Sequence, residues 1–365
     1  MPPTADPVIH PRRPTWRARL LLLAFGVVVS FVILEAGLRI VEAWRIPGQD
    51  EGWPPQLLKR GVYWAVYDPE LGYRQNPEFG DMNALGFRDR PIGPKDDRFR
   101  VLMLGDSIAV YGDSVDDTFV GHLRGFLQST PARDRVEVID AGVKGYTNYQ
   151  EVLLLKKTGV GLNPDLVGFE FCVNDLFKFL QTFEIENGQV VPGSYTFSTE
   201  ALIRTPDSPL IALAKKSRLI LWLKDHLRVA GSAAKWVASG GYSFDYRVDV
   251  RNAWQDQGWP QIEQQLAQAV ALGRERHFPV FVVAFPLGSQ YDPGYLARDR
   301  DYVLKPQRKL REICDRLGIP FYDLYKDLGP ADFKPGDDIH LSAQGRRAAG
   351  VAIAKFLTTS GLLPN

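Results

Sequence analysis

A chain of 365 residues, 45% of them hydrophobic and 24% charged, can bury an ample core in one large domain with appendages or in two domains. A formal net charge of +1 excludes a generally nucleic-acid-binding surface, which needs a marked basic excess. The two cysteines, Cys172 and Cys314, exclude a disulfide framework and show no metal-ligand spacing. Cys314 falls on an apolar helical stripe with Leu310, Ile313 and Leu317 and reads as a buried thiol.

Residues 1–16 are rich in proline and arginine, the composition of a disordered tail. From Leu20 the chain runs apolar and uncharged to Leu34, then past Glu35 and Arg39 to about Val41, roughly the twenty residues that a bilayer-spanning helix needs. A cleavable signal peptide competes with a retained anchor. The run exceeds the apolar core of a signal peptide and no small-x-small cleavage site comes after it, so a signal-anchor helix is expected over residues 17–43. Arg12, Arg13, Arg17 and Arg19 precede the span, while Arg39 and Arg45 near its end are partly offset by Glu35 and Glu42. Positive-inside counting leaves the tail in the cytoplasm and exports the rest, as for a single-pass protein of a bacterial inner membrane with a periplasmic or extracellular domain. Glu35 and Arg39, four apart, share a helix face where they pair, snorkel or simply mark the end of the span.

Residues 44–99 combine prolines and glycines with recurring aromatics. They predict a linker and an irregular leading segment, partly packed on the domain C-terminal to it, with turns at Tyr67 to Gly72 and Asn83 to Arg88. From Arg100 strand and helix alternate. Strands are expected at Val101–Leu104, Val136–Ile139, Leu166–Phe171, Val280–Phe285 and around Phe321. Helices are marked by Phe119, Leu123, Phe126 and Leu127, by Tyr149, Val152 and Leu153, by Trp259 to Val270, and by Leu310 to Leu317. The last helix opens at Ser342 as N-cap and is expected to bury Ala348, Val351, Ala352 and Phe356. This alternation predicts an α/β fold, a mostly parallel sheet of about five strands in a three-layer sandwich over residues 100–365. Residues 176–258 are too long for a βα connection and read as an insertion. Within them Leu210 to Val229 is apolar and basic, the pattern of a lid, of a helix on a membrane surface, or of a packed helix with a solvated basic face.

The first strand stops at Gly105-Asp106-Ser107, where an open α/β sheet has its ligand crevice. A serine hydroxyl is a weak nucleophile until a base takes its proton, and the base needs a third group to hold its tautomer. Of the five histidines, His10 lies in the tail, and His122, His226 and His277 lie in helical stretches among charged or polar neighbours. His340 differs, because it shares a turn before the last helix with Asp337, close enough in sequence for the carboxylate to reach the imidazole. Asp338 is the local rival for that orienting role. An oxyanion also needs donors: Gly142 and Gly145 come after the second strand, where a backbone N–H can face the crevice, and Asn174 comes after the third with its amide. Taken singly, each also reads as an ordinary turn or cap. No histidine pair stands at metal-ligand spacing, and nothing implies a metal or a cofactor.

Taken together, a serine, a glycine, an asparagine and an Asp-x-x-His at successive strand ends resemble the SGNH (GDSL-like) hydrolases, from roughly Asn83 to the C-terminus with the insertion unmatched. The resemblance implies a flavodoxin-like three-layer fold and a serine esterase. It casts Ser107 as nucleophile, His340 as base and Asp337 as its orienter, with an oxyanion hole made by the N–H groups of Ser107 and Gly145 and the side-chain amide of Asn174. One departure is Cys172, which stands where the third block, Gly-x-Asn-Asp, has glycine; it either narrows the pocket beside Asn174 or reflects a different strand end. The order Ser, Asp, His and the turn from Gly105 to Ala109 also approach the α/β-hydrolase elbow. Against that fold, the serine comes after the first strand of its domain, and acid and base share one turn. The expected substrate is an ester-bearing small molecule or glycan beyond the bilayer, most simply an O-acetyl group on carbohydrate or lipid. The rivals are an O-acetyltransferase that uses the same triad to acylate a polysaccharide, and a non-catalytic membrane-tethered assembly protein.

Overall fold

The computed structural model describes residues 15–44, 53, 55–58, 62–130, 135–176, 179–186, 189–197, 216–220, 222–223, 227, 241–247 and 249–364. It divides into two compact units, Met1–Arg45 with Arg204–Ala233, and Ile46–Ile203 with Ala234–Asn365. Residues 1–14 of the tail expected to be disordered, His10 and His226 lie outside the described residues, as does most of the apolar, basic stretch from Leu210 to Val229, while Trp16 at the end of that tail already belongs to a helix.

In the first unit, helix α1 (Trp16–Trp44) contains the stretch Trp16–Val41, long and apolar enough to cross a membrane. Its leucines, valines and phenylalanines from Leu20 to Leu34 are exposed all round, a pattern suited to lipid rather than water. Glu35 and Arg39 do pair, Nε donating to Oε1 at 2.7 Å.

In the second unit, the leading segment is more regular than its composition predicts. Strands β1 (Ala65–Asp68) and β2 (Gly72–Gln75) form an antiparallel hairpin. Its turn is held by Asp68, whose Oδ1 accepts from the N–H groups of Glu70 and Leu71, both at 3.0 Å. The recurring aromatics are a core of their own: Trp53, Trp64, Tyr73, Phe79 and Phe87 are buried, with Trp64 edge-on to Tyr73.

The chain then continues through β3 (Phe99–Leu104), α2 (Ser107–Val110), α3 (Phe119–Gln128), β4 (Val136–Asp140), α4 (Asn148–Lys157) and β5 (Leu166–Phe171). The insertion opens with an antiparallel pair, β6 (Phe179–Glu186) and β7 (Gln189–Phe197), and re-enters with α5 (Ser243–Tyr246). Then come α6 (Trp259–Arg276), β8 (Val280–Ala284), α7 (Pro293–Val303), α8 (Lys305–Leu317), β9 (Phe321–Asp323) and α9 (Ala343–Thr359). Strands β4, β3, β5, β8 and β9 lie in that order in one parallel sheet. This is the flavodoxin-like order, with its switch point between β3 and β5.

The inner strands β5 and β8 are buried at every residue, which is why they read as unbroken apolar runs. Adjacent residues of β3 serve opposite layers. Leu102 packs beside Gly159 and Leu155 of the α4 side, while Met103 meets Gly168 and Phe281, and Phe281 faces Phe356 of α9. Helix α3 packs on α9, and α4 packs on α6, completing three layers.

Two expectations need correction. The buried face of α9 is Gly345, Arg346, Ala349, Ala352, Ile353 and Leu357, whereas Ala348, Val351 and Phe356 are half-buried. Counting apolar residues alone rotated the helix, because Arg346 is itself buried and donates Nε to the Asp117 carbonyl at 2.7 Å. His277 is not within a helix but is the left-handed residue (φ 66°) that ends α6.

Candidate active site

Ser107 opens α2 immediately beyond the carboxyl end of β3. Asp106 caps that short helix, its Oδ1 accepting from the Ile108 N–H at 2.7 Å. Gly105 is required by close approach, since a Cβ there would stand 2.6 Å from Oε2 of Glu170.

The acid and base come from one tightly built turn between Phe333 and Leu341, which form an antiparallel bridge. Within it Lys334 N–H donates to the His340 carbonyl and Asp337 N–H to the Lys334 carbonyl, each at 3.0 Å. One oxygen of Asp337 accepts the N–H groups of Ile339 at 3.0 Å and His340 at 3.1 Å, which aims the other at the ring. That second oxygen lies 2.6 Å from His340 Nδ1, and His340 Nε2 lies 2.9 Å from Ser107 Oγ. A carboxylate on Nδ1 favours the tautomer whose Nε2 lone pair faces the hydroxyl. Burial works against ionisation of Asp337, but the His340 ring and the two N–H donors outweigh it and hold the carboxyl well below the usual range. Asp338 turns elsewhere and pairs with Arg247. The imidazole is also packed by Tyr111, ring centroids 4.7 Å apart, and the Lys334 ammonium stands 5.0 Å over that tyrosine.

Asn174 lies just past β5 and is joined to the serine segment through Asp106. Its Nδ2 donates to Asp106 Oδ2 at 2.7 Å, leaving one N–H of the amide for another acceptor. Gly145 lies in the loop after β4 with φ at +74°, a conformation glycine adopts without strain. That loop is tied to the serine loop by Val143 N–H donating to the Gly105 carbonyl at 2.9 Å. Gly145 itself makes no hydrogen bond to the other four residues, and among the described residues nothing accepts from the N–H of Gly145 or Ser107. The structure therefore brings Ser107, His340 and Asp337 into direct contact, links Asn174 through one carboxyl, and holds Gly145 on a neighbouring loop.

Sequence reasoning missed several supporting residues. Gln75 of β2 donates to the Gly142 carbonyl at 3.2 Å and accepts from the Lys144 N–H at 3.2 Å, while Tyr73 donates to the Lys144 carbonyl at 2.7 Å. The leading hairpin thus braces the glycine loop from outside the sheet. Beneath Asn174 lies a floor of acids. Glu170 accepts the Asp106 N–H at 2.9 Å, and Asp175 accepts the Cys172 N–H at 2.9 Å. Burial first, then their mutual repulsion and that of Asp106, push the carboxyls of Glu170, Glu151 and Asp175 well above the usual carboxylate range. Cys172 is fully buried against this floor rather than lining a pocket, and the same burial pushes its thiol up. For Glu170 the sequence signal was present, as an acid inside the otherwise apolar β5. Among the described residues no group of three or more His, Cys, Asp or Glu side chains is placed to hold a metal ion.

The family model described as "GDSL-like Lipase/Acylhydrolase family" matches residues 103–348. Among curated proteins nothing matches the sequence. Similar solved structures include TesA, at 14% identity over 71% of this chain and 98% of that one, TM-score 0.42. Another is Est24, a carbohydrate acetylesterase from Sinorhizobium meliloti, at 15% identity over 73% and 100% of the two chains, TM-score 0.40. A third is a catalytic mutant of Axe2, an acetylxylan esterase from Geobacillus stearothermophilus, at 14% identity over 71% and 93%, TM-score 0.40. With two thirds of its length matched by the family model, the chain belongs to the GDSL-like lipase/acylhydrolase family and is an ester-hydrolysing serine hydrolase.

Proposed function

We propose that this protein removes O-acetyl groups from a carbohydrate or lipid on the outer side of a membrane, to which α1 anchors it. The observation that carries the chemistry is the continuous chain from Ser107 Oγ to His340 Nε2 at 2.9 Å and from His340 Nδ1 to Asp337 at 2.6 Å. His340 takes the hydroxyl proton as Ser107 Oγ adds to the ester carbonyl. The carbonyl oxygen becomes an oxyanion, received by the N–H groups of Ser107 and Gly145 and by the free amide hydrogen of Asn174. Collapse breaks the ester bond, and the leaving alkoxide takes the proton from His340. Water, deprotonated by the same imidazole, then adds to the acyl-serine, and collapse frees the acid and returns the proton to Ser107. Asp337 stays ionised throughout and stabilises the imidazolium.

The length and apolar character of Trp16–Val41, with arginines ahead of it, support the anchored topology. Glycans and lipids are the ester carriers met on that side of a membrane, and acetyl is the smallest common acyl group that they pass to a nucleophile. The test is to incubate the full chain and Ser107→Ala with a small acetyl ester and a fluorophosphonate probe. The parent should turn over the ester and take up one label, and the variant should do neither while keeping its fold by circular dichroism. Turnover retained in Ser107→Ala removes the nucleophile from the proposal.

A further inference from the structure

The first unit holds a second apolar surface that the catalytic reading does not use. At about 1.5 Å per residue, the roughly twenty residues from Trp16 to Glu35 rise about 30 Å, the thickness of a bilayer's hydrocarbon core. Glu35 therefore stands at the polar boundary if α1 spans. Its carboxyl does not simply face water. It accepts from Ser217 Oγ at 2.9 Å, Arg218 N–H at 3.1 Å and Leu219 N–H at 2.9 Å. Residues 218–220, 222–223 and 227 are helical, so Glu35 satisfies first-turn N–H groups that have no partner within their own helix. Arg39 reinforces the junction, bonding Glu35 and donating Nη2 to the Lys216 carbonyl at 2.6 Å.

Beyond this cap, among the described residues, the exposed side chains are apolar: Ile220 at 40%, Trp222 at 46%, Leu223 at 47% and Leu227 at 63%. Positions 220, 223 and 227 recur at helical spacing, so they share one face. Basic residues surround them in sequence at Lys215, Lys216, Arg218, Lys224 and Arg228. Isoleucine and leucines on one face, with cations and a tryptophan beside them in sequence, is the composition of a helix lying in a membrane interface. We infer that the helical residues 218–220, 222–223 and 227 form a second membrane contact, seated in the lipid headgroup region and pinned there to the end of the anchor by Glu35. The occupant of its apolar face is lipid, because that face begins at the junction with α1, whose own exposed wall is apolar from Leu20 to Leu34. The inference rests on the proposed reading of α1 as a span, and is independent of the catalytic assignment.

The test uses the full chain in phosphatidylcholine and phosphatidylglycerol vesicles, with one added cysteine carrying an environment-sensitive fluorophore. Cys172 and Cys314 are buried and leave the label to the added thiol. Val28→Cys reports the span, Leu223→Cys and Leu227→Cys report the arm, and Gln128→Cys in α3 reports the catalytic unit. Lipids with a nitroxide at the headgroup level should remove about half of the fluorescence at 223 and 227, since an interfacial helix sits roughly 5–10 Å into that boundary. The label at 128 should be unaffected. Glu35→Ala should bring the quenching at 223 toward that at 128 while turnover of a soluble acetyl ester is unchanged. Labels at 223 and 227 as unquenched as that at 128, with Val28→Cys still quenched by deep nitroxides, overturn the inference, as does shielding from aqueous iodide without lipid quenching. A label at 28 that lipids fail to quench overturns the span itself and the inference with it.

Discussion

The turn that carries Asp337 and the floor that carries Glu151, Glu170 and Asp175 ask opposite things of the same functional group. Asp337 is about one-third exposed and takes its partners from its own turn, the N–H groups of Ile339 and His340 and the ring of His340. It is held ionised. The floor acids are buried, come from α4, β5 and the segment after β5, and are pushed toward the neutral form by burial and by one another. The contrast has an electrostatic rationale under the proposed mechanism. A negative charge about 5 Å from a developing oxyanion opposes it by roughly 3 kcal/mol at an effective dielectric of about 20. Charge on the base side assists the imidazolium, whereas charge beneath Asn174 would cancel what that amide contributes.

The largest test of this division is Asp337→Asn, which keeps shape but lets the side chain donate to Nδ1 and so selects the wrong histidine tautomer. Turnover of an acetyl ester should fall on the order of 10⁴-fold, with little change in KM. A fall of less than tenfold would move the orienting role elsewhere. On the oxyanion side, Asn174→Ala should cost about 10² to 10³ in kcat. Smaller again is the effect expected at the floor. Glu170→Gln keeps the shape and removes the ionisable group, and kcat at pH 7 should stay within about threefold, a barrier change of under about 1 kcal/mol. Glu170→Ala should instead lower stability by about 2–4 kcal/mol in urea unfolding, because it opens a cavity and strands the Asp106 N–H. A large kcat loss in the glutamine variant would mean that an ionised Glu170 is needed, and the contrast between mouth and floor would fail.

How much of this was readable beforehand depends on where the partners lie along the chain. The sheet was legible because strands buried on both faces are written as continuous apolar runs, and β5 was delimited to the residue. Asp337 and His340 were legible because one turn contains both. The floor was not, because Glu151 and Glu170 owe their raised carboxyls to neighbours from separate segments, and pattern reading assigns an acid to solvent by default. The same default hid the buried Arg346 and rotated α9. The role of Asp106 was hidden by its own motif: adjacent to the serine, it works toward Asn174, 68 positions away. The aromatic hairpin looked irregular because its strands, Ala65–Asp68 and Gly72–Gln75, are four residues each and carry no long apolar run.

Asp140 extends the comparison to the glycine loop, with a readout in stability rather than rate. It ends β4, is buried, and accepts the Gly142 N–H at 2.9 Å, while its own N–H donates to Asp89 at 2.7 Å. Burial and the nearby Asp89 push its carboxyl up to about 8, against an unfolded value near 3.9. Between those two values the folded chain binds a proton that the unfolded chain has released. Each step up in pH therefore costs stability, at most about 1.4 kcal/mol per pH unit from this group, and the contribution is lost as pH rises through about 8. Asp337 has the opposite sign, since its depressed carboxyl stabilises the fold above the ordinary range and that contribution is lost only in acid. Asp140→Asn mimics the protonated acid at every pH. Urea midpoints measured at pH 5 and pH 8 should fall less between the two in the variant than in the parent. Parallel declines would place the extra proton on another group, with Asp89, itself raised by burial, the first to replace.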